Sequence, residues 1–203
     1  MGYSWKRARL SLKGFRDPQE FESKQRQLID LQSLDTDGFI DLYFADESHF
    51  GLTPNVPYAW QHKENPILLP AKKSSRLTVF ALLKTNCKLV HYTTIGSMNS
   101  IKLIDCLDQF CKTINKRTII VLDNAPIHRS KIFKSKISQW KEQDLFIFFL
   151  PPYSPELNKI EILWRFIKYK WLPFDAFLNF NNLKDRLNDI LDAFGLKYII
   201  NFY

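Results

Sequence analysis

The order of strand-like and helix-like segments most narrows the folds open to this chain. Three runs of strand-forming residues come first, at residues 39–45, 76–83 and 88–95. Helical patterns then alternate with two further apolar runs, at residues 118–122 and 145–150. Successive strands indicate an antiparallel meander, and strand–helix alternation indicates parallel pairing. The sequence therefore predicts an α/β fold with a mixed five-stranded sheet and helices on both faces.

Apolar periodicity predicts the helices that cover this sheet. A helix capped by Asp17 begins at Pro18 and reaches about Leu31, and others are predicted at residues 100–112, 129–141, 156–169 and 183–194. Three strands followed by helix, strand, helix, strand and helix is the ribonuclease-H-like order. We expect a basic N-terminal segment and linker helix at residues 1–37 and one ribonuclease-H-like domain at residues 38–203.

Composition favours a polyanionic partner. The 29 Lys and Arg residues exceed the 21 Asp and Glu residues, which gives a net charge of +8 and suits a nucleic-acid binder. The three cysteines lack metal-ligand spacing, and their odd number without a signal peptide indicates a reducing compartment. No apolar run approaches the roughly twenty residues of a membrane span. We expect a cytoplasmic, nucleoid-associated protein with no membrane contact.

Three carboxylates stand in apolar surroundings. Asp46 and Asp123 each follow a strand-like run, and Glu161 lies among hydrophobic residues of a predicted helix. Acids at strand ends are well placed for chemistry because the strand fixes the backbone while the loop leaves the side chain open. Clustered carboxylates repel one another, and hard divalent cations resolve that repulsion. The pattern predicts a site for two Mg²⁺ or Mn²⁺ ions about 4 Å apart, suited to phosphodiester cleavage or transfer.

Each acid taken singly has a structural alternative. Asp46 could cap the following turn, Asp123 could bond the backbone of the next residues, and Glu161 could pair with Arg165 or Lys168. Three separate explanations are then needed, whereas one metal site explains all three acids. Glu47 is not expected to join that site, because successive side chains of a strand point to opposite faces.

Weaker candidates surround the three acids. His128 and Asn124 are auxiliary candidates beside Asp123, with a structural hydrogen bond and a turn as their alternatives. Basic side chains on the N-terminal segment and on two predicted helices are candidate DNA contacts, with solvated surface as the alternative. These are Lys6, Arg7, Arg9, Lys131, Lys134, Lys141, Lys159, Arg165 and Lys168.

Three strings carry a family resemblance: Y-F-A-D-E-S-H-F at 43–50, I-I-V-L-D-N-A-P-I-H at 119–128 and L-P-P-Y-S-P-E-L-N-K-I-E-I-L-W at 150–164. They resemble the three catalytic blocks of mariner-related DDE transposases, especially the bacterial insertion-sequence branch. The resemblance implies that Asp46, Asp123 and Glu161 are a metal-binding catalytic triad on a ribonuclease-H-like fold. It also implies metal-dependent cleavage of transposon ends and strand transfer into target DNA, usually at TA, by a homodimer.

Two departures from that family bear on function. Lys159 stands where the family commonly has proline, and the chain opens on a stretch, G-Y-S-W-K-R-A-R, that resembles the end of the family's helix-turn-helix region. We therefore expect the end-recognising half to be supplied by frameshift fusion or to have been lost. The alternatives are another ribonuclease-H-like nuclease, such as a Holliday-junction or RNA-hybrid nuclease, and an inactive DNA-binding or interaction remnant of a decayed element.

Overall fold

The five predicted strands form one mixed sheet in a computed structural model, which describes residues 13–56, 58, 60–69 and 75–202. The strand order is β3-β2-β1-β4-β5. Strand β1 pairs antiparallel with β2 and parallel with β4, while β2–β3 is antiparallel and β4–β5 parallel. The predicted mixed sheet is confirmed. The strands are β1 Asp41–Phe50, β2 Leu77–Lys84, β3 Lys88–Ile95, β4 Thr118–Leu122 and β5 Leu145–Phe149.

In the described part of the chain, five α-helices and several short turns connect and cover the strands. The helices are α1 Pro18–Thr36, α2 Ser100–Cys111, α3 Lys131–Glu142, α4 Ile160–Phe166 and α5 Phe180–Asp192. Asp17 caps α1 as predicted, because its side chain accepts a hydrogen bond from the Gln19 amide. Among the described residues, no helix is both long and apolar enough to cross a membrane.

Helices cover both faces of the sheet, as the sequence predicts. Alternate strand residues face opposite sides, so Phe44 of β1 packs in the same core cluster as residues of α1, α4 and α5, whereas Tyr43 and Ala45 pack with α2 and α3. Strand β2 is buried along nearly its whole length. Its continuous apolar run is therefore typical of a strand enclosed by two layers of helices.

Two predicted boundaries beside the acids are wrong. Strand β1 continues past Asp46 to Phe50, because antiparallel pairing with β2 extends to Phe50 although parallel pairing with β4 stops at Phe44. The predicted helix over residues 156–169 is broken into a 3₁₀ turn, Pro155–Leu157, helix α4, and a π-helical turn, Ile167–Trp171. Glu161 therefore lies in the first turn of α4, and not one and a half turns into a longer helix.

Candidate active site

The three acids singled out from the sequence line one open pocket of about 620 Å³. Asp46 comes from β1, Asp123 from the loop after β4, and Glu161 from α4. Strands β1 and β4 are parallel neighbours, so the chain leaves their shared hydrogen-bonded segment at the same edge of the sheet. Helix α4 packs against β1 and brings the third carboxylate to that edge.

Asp46 has the most strongly perturbed ionisation of the three. Burial, reinforced by the nearby charges of Glu161, Glu47 and Asp123, raises its pKa to about 8. The indole Nε1 of Trp164 donates to Asp46 Oδ2 over 3.1 Å. This hydrogen bond ties α4 to β1 and fixes one face of the carboxylate.

Asp123 is held by its own loop. Its Oδ1 accepts from the Ala125 amide at 2.9 Å and lies 2.8 Å from His128 Nδ1. Burial works to raise the pKa of Asp123, but these hydrogen bonds and the charge of His128 outweigh it and leave the pKa below its ordinary value. Asp123 therefore makes the backbone hydrogen bond expected of a structural aspartate, to the Ala125 amide. It also lines the pocket.

Glu161 is an exposed residue that lines both the pocket and a neighbouring groove. Its carboxyl group is partly removed from solvent, which raises its pKa; Lys168 opposes that rise and Asp123 adds to it. The neighbouring groove, of about 600 Å³, is also lined by Arg165 and Lys168. Burial lowers the pKa of the Lys168 ammonium, although Glu161 and Asp46 both attract its charge.

His128 lies behind the pocket wall with a side chain that is 0% exposed. Its Nδ1 faces Asp123 and its Nε2 lies 3.3 Å from Glu47 Oε1. Burial alone would lower its pKa, but the bonds to Asp123 and Glu47 raise it to about 10. Glu47 therefore points away from Asp46, as strand alternation predicts, and its partner is a histidine 81 residues away in the chain.

Two asparagines tie the pocket loops to the sheet. Asn124 Nδ2 donates to the Leu150 carbonyl, which joins the Asp123 loop to the end of β5. Asn158 Nδ2 donates to the Ala45 carbonyl over 3.0 Å and is 4% exposed, while its Oδ1 is buried without a hydrogen-bond partner. Both residues line the pocket, and Asn124 is one of the auxiliary candidates that the sequence predicts.

The candidate DNA-binding residues fall into separate groups. Lys131, Lys134 and Lys141 are exposed on α3, whereas Lys159 is half-buried, with Nζ 5.9 Å from the Phe44 ring centroid, and lines neither the pocket nor the groove. The predictions for Lys6, Arg7 and Arg9 lie outside the described residues.

Sequence reasoning missed several polar and aromatic neighbours of the acids. Arg16, Arg129 and Tyr153 line the pocket, and Arg16 pairs with Glu156 at 2.6 Å. Arg129 could have been suspected from its place beside His128. No local pattern identifies Arg16, because its contact with Glu156 spans 140 residues.

The donor set of the pocket fits a hard divalent cation. Asp46, Asp123 and Glu161 offer carboxylate oxygens, the ligands that Mg²⁺ and Mn²⁺ favour. Burial and then repulsion from neighbouring carboxylates raise the pKa of Asp46, and a bound cation would relieve that repulsion. The carboxylates line one pocket without forming a closed ligand shell: within the described ranges, no three His, Cys, Asp or Glu side chains are gathered as a ready metal site.

The β3-β2-β1-β4-β5 mixed sheet with helices on both faces is the ribonuclease-H-like fold. The model of the DDE superfamily endonuclease family matches residues 41–184, which covers most of the chain. This chain belongs to that family. A curated relative, the uncharacterized protein y4pE/y4sA of Sinorhizobium fredii, is 32% identical over 65 residues, which is 32% of this chain and 44% of the relative.

Solved structures of the Mos1 transposase share the fold. The Mos1 paired-end complex with the left transposon end matches with a TM-score of 0.62 at 16% identity over 95% of this chain and 60% of that chain. The Mos1 paired-end complex with Mn gives 0.58 at 16% identity, with coverage of 95% and 60%. The Mos1 catalytic domain gives 0.57 at 14% identity, with coverage of 93% and 86%. The chain thus spans less than two thirds of the y4pE/y4sA protein and of the Mos1 chains in the paired-end complexes.

Proposed function

We propose that this chain is the catalytic domain of a transposase that cleaves DNA strands and transfers them during DNA transposition. One observation carries the proposal: Asp46, Asp123 and Glu161, each from a different element, line a single pocket at the edge of a ribonuclease-H-like sheet. Membership in the DDE superfamily endonucleases supports it. One Mos1 structure that shares the fold is a paired-end complex with the left transposon end, and by analogy we assign DNA as the substrate.

The three carboxylates are the proposed ligands of Mg²⁺ or Mn²⁺, with two ions as the expected number. When bound, such ions activate an attacking water or 3′-hydroxyl and stabilise the leaving oxygen of a phosphodiester. The chain's own residues position this chemistry. Trp164 orients Asp46 through its indole hydrogen bond, and the Ala125 amide and His128 orient Asp123. Asn158 fixes the distance between β1 and the segment that enters α4.

Basic side chains beside the acids are the proposed DNA contacts. Lys168 and Arg165 line the groove next to Glu161, and Arg129 and Arg16 line the pocket itself. Phosphate oxygens are the natural partners of these cations, because Lys and Arg supply most contacts to a nucleic-acid backbone. Lys131, Lys134 and Lys141 would extend this surface along α3.

The proposed organisation follows the same reasoning. Residues 1–37 form a basic segment with a linker helix, and residues 38–203 form the catalytic domain. The working complex is a homodimer that holds two DNA ends. End recognition belongs to a helix-turn-helix half that frameshift fusion supplies or that has been lost. The paired-end complexes of Mos1 support this arrangement by analogy, and the molar mass of the chain bound to DNA would test it.

Nicking of supercoiled plasmid in Mg²⁺ or Mn²⁺ tests the proposed activity. The wild-type chain should convert supercoiled plasmid to open circles, and Asp46→Asn, Asp123→Asn and Glu161→Gln should each reduce the rate by at least about a hundredfold. The exposed surface variant Glu142→Gln should leave the rate unchanged. Full activity in the three variants would contradict the proposal, and cleavage confined to branched DNA or to RNA–DNA hybrids would indicate another ribonuclease-H-like nuclease.

A further inference from the structure

A line of contacts joins the partly buried Glu47 to the pocket through His128 and Asp123. Glu47 lies on β1, His128 on the 3₁₀ turn Pro126–Arg129, and Asp123 on the loop after β4. The His128 ring spans the two acids, with Nδ1 2.8 Å from Asp123 Oδ1 and Nε2 3.3 Å from Glu47 Oε1. The His128 side chain in the middle is 0% exposed, Glu47 is 11% exposed, and Asp123 at the pocket is 52% exposed.

Both ring nitrogens of His128 face oxygen atoms, and these contacts fix the orientation of the ring. Nδ1 lies 3.0 Å from the Asp123 carbonyl oxygen as well as beside the carboxylate. Each ring nitrogen therefore has an oxygen partner, from Asp123 on one side and from Glu47 on the other. These contacts at both ends determine the orientation of the ring.

Local packing prevents the His128 ring from turning away. The His128 amide donates to the Ala125 carbonyl at 3.0 Å, and the ring centroid lies 6.0 Å from that of the fully buried Phe133. Ser130 caps α3 directly after the turn, accepting a hydrogen bond from the Phe133 amide. The turn is thus held by backbone and side-chain bonds, and the ring can transmit the position of Glu47 to Asp123.

We propose that Glu47 and His128 are positioning residues that fix the Asp123 carboxylate for cation binding, with Oδ1 engaged by His128 and Oδ2 left for the pocket. The inference rests on the proposed function, since it concerns the same metal site. Hydrogen-bond partners behind a ligating carboxylate commonly fix its orientation, and their loss costs about 10–100-fold in metal affinity.

A second histidine–carboxylate pair, away from the pocket, serves as a control for a purely structural role. His91 of β3 lies 2.9 Å from Asp192 at the end of α5, and neither residue lines the pocket of the three acids. Removing that pair should lower stability without affecting metal affinity. Removing the Glu47–His128 contact should affect both.

Titration of the full chain with Mn²⁺, with free Mn²⁺ counted by electron paramagnetic resonance, tests the inference. Glu47→Ala and His128→Asn should each raise the dissociation constant about tenfold or more. Glu47→Gln keeps an acceptor oxygen and the side-chain volume, so it should fold and should restore most of the affinity lost in Glu47→Ala. His91→Asn should keep the wild-type dissociation constant even where its thermal midpoint falls.

Asp123→Asn separates failure of this inference from failure of the proposed function. If Asp123→Asn weakens Mn²⁺ binding while folded Glu47→Ala and Glu47→Gln both stay within about twofold of wild type, the positioning role is wrong and the metal site stands. If Asp123→Asn itself binds Mn²⁺ as wild type does, the proposed metal site is wrong, and the positioning role is wrong with it.

Discussion

At the scale of single residues, the pocket acids are held in different states of ionisation. Burial and neighbouring carboxylates raise the pKa of Asp46 to about 8, whereas Asp123, also partly buried, has a lowered pKa because His128 and the Ala125 amide stabilise its anion. One carboxylate is therefore ready to bind a cation at neutral pH, and the other must lose a proton as the cation binds. Metal affinity should rise with pH for this reason.

The raised pKa of Asp46 predicts a stability cost that a substitution can relieve. From about pH 4 to about pH 8 the unfolded chain releases the Asp46 proton while the folded chain keeps it, so the metal-free protein loses stability as pH rises. Asp46→Asn removes that loss and still accepts from Trp164. At pH 8 in EDTA it should be more stable than wild type by at least about 2 kcal/mol, seen as a thermal midpoint at least roughly 4 °C higher.

The pH dependence of the stability difference between Asp46→Asn and wild type separates the effect of Asp46 from that of His128. The bonds of His128 contribute stability that is complete below its unfolded pKa and is lost as pH rises through about 10, and this loss is common to both proteins. The advantage of Asp46→Asn should therefore shrink towards pH 4. A variant less stable than wild type at pH 8 would contradict this account of Asp46.

At the scale of elements, the backbone at Gly195, after α5, approaches closely the turn between β2 and β3. Gly195 follows α5 with φ +83°, and a Cβ built on it would lie 2.4 Å from the Cys87 carbonyl oxygen, in the turn between β2 and β3. The Cys87 Sγ also contacts the Ile200 carbonyl oxygen at 3.6 Å. This contact holds α5 and the residues after it against the sheet that carries Asp46.

Gly195→Ala should therefore cost more stability than a left-handed glycine alone explains. Gly38 has φ +80° with nothing within 4 Å of a built Cβ, so Gly38→Ala gives the cost of backbone strain, about 1 kcal/mol. Gly195→Ala adds a backbone clash and should lose about 2–4 kcal/mol in urea unfolding. Equal losses in the two variants would show that the Cys87 contact does not constrain the segment.

At the scale of the whole molecule, the excess of basic residues predicts salt-sensitive DNA binding. The net charge is +8, and contact between lysine or arginine and phosphate releases condensed counterions. Replacing Lys131, Lys134 and Lys141 together by glutamine should weaken DNA binding and reduce the salt slope by up to about three. The substitution of Lys84, whose ammonium pairs with Asp35 and Asp41, by glutamine is the control that should leave the slope unchanged.

Fluorescence anisotropy with a labelled DNA duplex at several salt concentrations measures both quantities. A slope identical in wild type and the triple variant would exclude the α3 lysines from the DNA surface. A flat salt response in the wild-type chain would remove the electrostatic argument for a nucleic-acid partner.

Local sequence pattern was sufficient to predict the five strands and the acids that follow two of them, because apolar runs and their ends are short-range features. Apolar runs marked all five strands, and the positions after two of them led to Asp46 and Asp123. The extension of β1 beyond Asp46 depends on pairing with β2, some thirty positions further along the chain. A pairing partner that remote leaves no mark in the local pattern.

The environment of the acids was beyond sequence reasoning for the same physical reason. Trp164 reaches Asp46 across 118 residues, and His128 reaches Glu47 across 81. The break before α4 was also missed, because residues 155–169 keep an apolar pattern while the backbone passes from a 3₁₀ turn into α4 and then a π-helical turn. Tertiary contacts set those geometries.

Calorimetric titration of the metal-free chain with Mn²⁺ tests most directly that Asp46, Asp123 and Glu161 form one cation site. The wild-type chain should bind Mn²⁺, and Asp46→Asn, Asp123→Asn and Glu161→Gln should each weaken binding at least about tenfold. Glu156→Gln, which changes an acid five positions from Glu161 that pairs with Arg16, should bind as wild type does. Unchanged Mn²⁺ binding in the three pocket variants would contradict the account.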